Sequence, residues 1–204
     1  IRIVTDIDAP ISALSIDSAG KTSEFGKNFI PVQPVVLFSG LNPVGWFSES
    51  VSASEAFAPL GKRLVAAWRF QANTQTWESF RPGLPIISDL GQLHPGDALW
   101  VELSEGKRFV WSQPDFSIGE RFVNLSNGLN LVTWTGPALA VDKAIEPLES
   151  TVDAVFRWNR GIRRFELIMP LLPFMKESAE LKSSDVLWLR MSEAIGWLQP
   201  ASDP

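Results

Sequence analysis

Gly40-Leu41-Asn42-Pro43-Val44-Gly45-Trp46 recurs 88 residues later as Gly128-Leu129-Asn130-Leu131-Val132-Thr133-Trp134. At the same offset Leu99-Trp100 falls on Leu187-Trp188, and Ser104-Glu105 on Ser192-Glu193. From Gly40 to Glu105 the ungapped alignment holds 20 identities in 66 positions. A fixed period of this size marks a repeat architecture in which each unit is one supersecondary module. Residues kept in both copies are then expected to be those the module needs to fold.

Working outward, residues 1–26 lie outside the repeat, repeat 1 covers 27–114 and repeat 2 covers 115–204. Within the N-terminal segment Ile1-Arg2-Ile3-Val4 reads as a strand start, and Ser18 to Ser23 as a loop. The two copies end alike, in Trp111-Ser112-Gln113-Pro114 and Trp197-Leu198-Gln199-Pro200, once two residues are deleted near Gly106. The chain opens on Ile1 and stops four residues past Pro200, so a processed product or a fragment is expected.

Each copy reads as short strands around one short helix. Leu41 to Phe47 and Leu129 to Thr135 are apolar runs entered through glycine, as strands are. Ala53, Ala56, Phe57 and Leu60, matched by Val141, Ala144, Ile145 and Leu148, have the spacing of one helix face. Ser52 with Glu55 makes a capping box that Ala140 lacks. Pro59 and Pro147 are expected to stop the helix after about two turns. A hairpin follows: a turn at Ala72 to Gln75 sets Arg69 opposite Glu78 and Phe70 opposite Trp77. The same register sets Arg157 opposite Glu166 and Trp158 opposite Phe165. Such aromatic and ionic cross-strand pairs stabilise a two-stranded ladder. Beyond the Pro-rich linkers at Pro82 to Pro85 and Pro170 to Pro173, the segments Ala98 to Leu103 and Val186 to Met191 read as buried strands. Phe109 to Ser112 and Ile195 to Leu198 close each unit. The fold class is α+β and β-rich, in two tandem homologous repeats of short antiparallel strands with one short helix each.

Composition narrows the function. The 204 residues include 45% hydrophobic and 20% charged, enough for a packed core. A net charge of -5 argues against a nucleic-acid partner. No run approaches the ~18 apolar residues of a membrane-spanning helix. There is no cysteine and one histidine, His94, which leaves little material for a thiolate site, a multi-histidine site or a Ser-His-Asp triad. No phosphate-binding glycine loop or metal spacing occurs, and no cofactor is called for.

Nine tryptophans tempt one toward sugar binding. Yet Trp46/Trp134, Trp100/Trp188 and Trp111/Trp197 are matched pairs, and Trp68, Trp77 and Trp158 meet Phe156, Phe165 and Phe70 in the other copy. Aromatic character in both copies is the mark of core positions, with one or two left for exposure. The paired acids Asp97/Asp185, Glu78/Glu166 and Glu105/Glu193 read as turn or ion-pair residues rather than a catalytic couple. His94 faces Lys182 in the other copy and reads as a loop residue. Arg157, Arg160, Arg163 and Arg164 cluster around the second hairpin tip, opposite the neutral Ala72 to Gln75. A solvated turn accounts for them; the alternative, with Arg160, Arg163 and Arg164 as the binding residues, is contact with an acidic partner, a subunit or an anionic polymer. Asn124-Leu125-Ser126 matches the glycosylation sequon.

The stretch Gly128-Leu129-Asn130-Leu131-Val132-Thr133-Trp134-Thr135-Gly136 resembles the tandem modules of large secreted and cell-surface bacterial proteins, which open roughly on Gly-Trp-Asn-Leu-Val-Gly-Trp-Thr-Gly. Leu41 and Leu129 stand where that repeat has tryptophan. The resemblance implies an extracellular, multi-modular setting. On these grounds we expect a non-enzymatic extracellular or cell-surface structural or adhesion module, whose partners are other copies of itself or cell-surface polymers. A carbohydrate-binding module using exposed aromatics is the alternative, and a self-assembling surface subunit the third reading.

Overall fold

The structure, a computed structural model of the chain, describes residues 14–16, 22–24, 32–104, 106, 108–114, 119–168 and 180–201. The expected strand at Ile1 to Val4, the linker at Pro170 to Pro173 and the turn residue Glu105 lie outside them. An antiparallel hairpin of β1 (Leu14–Ile16) and β2 (Thr22–Glu24) comes first. Thr22 and Ser23 are therefore strand residues and not the end of a loop, since their backbones complete the ladder with Ser15 and Ile16.

The first unit contains β3 (Val32–Leu37), β4 (Gly40–Gly45), β5 (Val51–Ser52), α1 (Ala53–Phe57), β6 (Leu64–Gln71), β7 (Thr76–Phe80), β8 (Gln92–Leu93), β9 (Ala98–Leu103) and β10 (Phe109–Pro114). The second contains β11 (Arg121–Leu125), β12 (Gly128–Thr133), β13 (Leu139–Ala140), α2 (Val141–Ala144), β14 (Val152–Asn159), β15 (Arg164–Ile168), β16 (Glu180–Leu181), β17 (Val186–Met191) and β18 (Ile195–Gln199). The fold is rich in β-structure. Each unit has an antiparallel four-stranded sheet, ordered β4-β9-β6-β7 in the first and β12-β17-β14-β15 in the second. Two-stranded ladders, β3 with β10 and β11 with β18, lie beside them.

Local chemistry explains these elements. Gly40 and Gly128 enter β4 and β12 at φ +82° and +94°, a region favouring glycine. Two residues on, Asn42 Nδ2 donates to the carbonyls of Phe38 (2.7 Å) and Gly40 (2.9 Å), and its Oδ1 accepts from Phe38 N. Asn130 repeats the clamp on Ser126 and Gly128. Buried backbone groups at the turn are thereby satisfied. Ser52 Oγ accepts from Glu55 N at 3.2 Å and caps α1, whereas α2 has no side-chain cap. The α-helical turns are shorter than the two-turn expectation. They end at Phe57 and Ala144, and tighter 3₁₀ turns carry the chain through Pro59 and Pro147. A proline at the start of such a turn forfeits no hydrogen bond, because its N–H would be unpartnered there.

One face of each sheet packs on its helix. Ala53, Ala56, Phe57 and Leu60 are buried with Leu99, Val101 and Trp111; Val141, Ala144, Ile145 and Leu148 are buried with Leu187, Leu189 and Trp197. Trp46 and Trp111 meet at 5.7 Å between ring centroids, as do Trp134 and Trp197. The indole N–H of Trp46 donates to Glu49 O and that of Trp134 to Pro137 O, so these rings lie buried without an orphaned donor. No helix among the described residues is long and apolar enough to cross a membrane.

Candidate functional site at the junction of the two units

Both hairpins have the register the sequence predicts. β6 and β7 pair Arg69 with Glu78 and Phe70 with Trp77; β14 and β15 pair Arg157 with Glu166 and Trp158 with Phe165. The two arginines differ in what else they hold. Arg69 reaches Glu78 at 2.7 Å, Asp97 at 2.6 Å and the carbonyl of Gln92 at 2.9 Å. Burial opposes its charge, but Asp97 and Glu78 more than offset this and hold its pKa above the ordinary value. Arg157 reaches Glu166 at 2.8 Å and Glu180 O at 2.8 Å, while its Nε is buried with no hydrogen-bond partner among the described residues. Asp97 is thus a turn residue, accepting from His94 N, and an ion-pair partner of Arg69. Arg157 and Asn159 donate to Glu166 and hold its carboxyl below the usual range. Burial pushes Asp185 up, partly countered by the Lys182 N–H and by Arg160.

The outer faces of the sheets meet each other. Phe70 and Trp77 pack edge-on against Trp188 at 4.9 and 5.8 Å between centroids. Reciprocally, Trp158 and Phe165 pack against Trp100 at 5.6 and 5.9 Å. Each such pair adds roughly 0.5 to 1.5 kcal/mol beyond its buried area. The hairpin tips close the junction. Gln75 accepts from Leu129 N (3.1 Å) and donates to Leu129 O (2.9 Å), bonding to the second unit as a strand edge would. Arg163, at the matching position, donates to the carbonyls of Ser39 (3.0 Å) and Leu41 (3.4 Å) and lies over the Phe38 ring.

This junction corrects the expectation that all but one or two of the tryptophans are core residues, since five of the nine lie outside the buried core. Trp46, Trp111, Trp134 and Trp197 are core residues, but Trp68, Trp100, Trp158 and Trp188 are half-buried and Trp77 is 43% exposed. Alternation along a strand sends Ala67 and Arg69 to one face and Trp68 and Phe70 to the other, where a second sheet covers only part of the surface. The basic tip is likewise engaged within the chain. Arg163 grips the first unit, and Arg160 donates to Ser184 O and Oγ at 2.9 and 3.0 Å. Arg164, exposed at the start of β15, pairs across the ladder with Asn159.

Hollows lined by described residues border the junction. An open apolar trough of about 500 Å³ is lined by Leu41, Trp68, Trp77, Trp100 and Trp188. A second cleft of about 480 Å³ lies under the first hairpin, with Phe70, Asn73, Asp97, Arg121, Asn124 and Leu131 among its walls. Its counterpart under the second hairpin, between Trp158, Arg160 and Arg163 and the first unit's Val35, Phe38 and Pro43, has about 30 Å³. His94 lines the larger cleft, its Nδ1 2.9 Å from Ser50 Oγ. No group of three or more potential metal ligands occurs among the described residues. The roles of Gln75, Phe38 and Arg121 were missed from sequence, since each acts on the other unit and carries no local signal.

No protein-family model matches the chain, nor does any curated protein or solved structure.

Proposed function

We propose that the chain is a non-catalytic binding module of the extracellular or cell-surface kind, built of two tandem homologous α+β repeats, and that it takes sugar rings of a cell-surface polymer in its tryptophan trough. The observation that carries this reading is the trough itself. Four indoles and Leu41 line an open apolar hollow of about 500 Å³, and one of its walls, Trp77, is 43% exposed. Flat aromatic walls suit the C–H faces of pyranose rings. The duplication is supported by the 88-residue offset and by the shared strand order of the two sheets.

Calorimetry of the chain against soluble polysaccharides tests it. One glycan is expected to bind, and Trp77→Ala to weaken it at least tenfold at a temperature where the variant, whose midpoint falls with the loss of its contacts to Phe70 and Trp188, is still folded. Equal binding by Trp77→Ala, or no binding by any glycan, overturns it. A second reading, a structural or adhesive subunit that docks on other copies of itself, draws on the exposed apolar turn of Leu84, Ile86 and Ile87, where Ile86 is 98% exposed. Sedimentation over a concentration series distinguishes the two, because mass that grows with concentration belongs to the assembling subunit alone.

A further inference from the structure

We propose that the cleft under the first hairpin is a second ligand site, independent of the trough, and that it binds a small carboxylate-bearing polar molecule through Arg121.

The two clefts occupy matching places in the fold. Phe70, Ala72 and Gln75 of the first hairpin stand where Trp158, Arg160 and Arg163 stand in the second. Each set overhangs the strands of the opposite unit. In the second, the long side chains of Arg160 and Arg163 run through the gap and leave about 30 Å³. In the first, Ala72 is too short to cross it, and about 480 Å³ stays open. That is room for a ligand of monosaccharide or dipeptide size, and not a packing defect of the kind cores close up.

The walls say what chemistry fits. Arg121 enters from the second unit and lies across Gly96, so closely that a Cβ there would collide with the guanidinium. One of its nitrogens donates to Gly96 O at 2.7 Å, and among the described residues it makes no other hydrogen bond. A guanidinium carries five donors in a fork that matches a carboxylate. Asp97 lies in the same cleft but makes no hydrogen bond or ion pair with Arg121 among the described residues; its Oδ2 is held by Arg69 at 2.6 Å and by His94 N at 2.9 Å. Burial lowers the pKa of Arg121, and Asp97 only partly counters this, so a ligand carboxylate would relieve a charge removed from water. Phe70 and Leu131 offer an apolar floor for the ligand's body, and Asn73 and Asn124 supply amide donors and acceptors at its rim.

Amide chemical shifts of the intact chain, titrated with glucuronate and in parallel with neutral glucose, test the site. Glucuronate is expected to shift residues 70–73, 94–98 and 121–126 in a saturable way, and glucose to leave them in place. Arg121→Gln should weaken glucuronate at least tenfold, as loss of a charge-assisted bidentate contact does. Ala72→Arg should abolish it by filling the cleft as Arg160 fills its counterpart, without moving the trough resonances. Should Arg121→Gln fail to fold, Ala72→Arg decides, since it installs a side chain the other half already accommodates. Absence of saturable shifts up to tens of millimolar glucuronate, equal shifts from glucose, or full binding by Ala72→Arg overturns the proposal.

Discussion

The two hairpins share one backbone register and differ in how their tips meet the opposite unit. The first docks with a neutral Gln75 that bonds both backbone groups of Leu129 and leaves an open cleft behind it. The second docks with Arg163, which holds two carbonyls and covers Phe38, while Arg160 fills the space behind. Equivalent joints thus have different freedom to accept a ligand. A change of side-chain length at one turn position, Ala72 against Arg160, separates an open joint from a closed one without altering the ladder.

The largest expected effects probe what the two joints have in common. Trp188→Ala and Trp100→Ala each remove the ring on which the other unit's hairpin packs, and each should cost about 2 to 4 kcal/mol in urea unfolding. Their losses should agree within about 1 kcal/mol; a larger gap would break the equivalence. The next pair sharpens a difference. Arg69→Ala strips both Glu78 and Asp97 of their partner and should cost about 2 to 4 kcal/mol, whereas Arg157→Ala should cost about 1 to 2 kcal/mol because it serves one carboxylate and has an idle Nε. At the tips, Arg163→Ala is expected to cost about 1 to 2 kcal/mol and Gln75→Ala about 1 kcal/mol, as charge-assisted bonds exceed neutral ones.

The smallest effects concern pH, and within the second unit they have opposite signs. Glu166 is held below its ordinary value of 4.5, so its stabilisation is present above that pH and lost as pH falls through the folded value. Asp185 is raised from 3.8 by burial, so its contribution is full below that pH and lost as pH rises through the folded value. Thermal midpoints at neutral pH should therefore fall for Glu166→Gln and rise for Asp185→Asn. Two shifts of the same sign would contradict this assignment of the carboxylates.

Much of each unit was legible in the sequence because its determinants are local or recur. The hairpin register follows from an aromatic pair and an ion pair spaced about one turn, and the helix face from apolar positions that end buried. Trp77 falls within the one or two exposures the pattern allows, but Trp68, Trp100, Trp158 and Trp188 end only half-buried, because aromatic character in both copies does not say which sheet face meets a helix and which meets another sheet. Asp97 looked fully explained by its turn, and nothing near it in sequence announces Arg69. The candidate sites were harder still. The trough draws Trp188 from one unit and Trp77 from the other, and the cleft joins Ala72 to Arg121; such placements arise only when the units dock.

Reciprocal docking of aromatic rings and hairpin tips is expected to make one cooperative body of the two units, and equilibrium unfolding in urea tests it most directly. Tryptophan emission and far-ultraviolet dichroism should follow one coincident transition, which Trp188→Ala shifts as a whole. Two separable transitions, with Trp188→Ala moving only one of them, would contradict it.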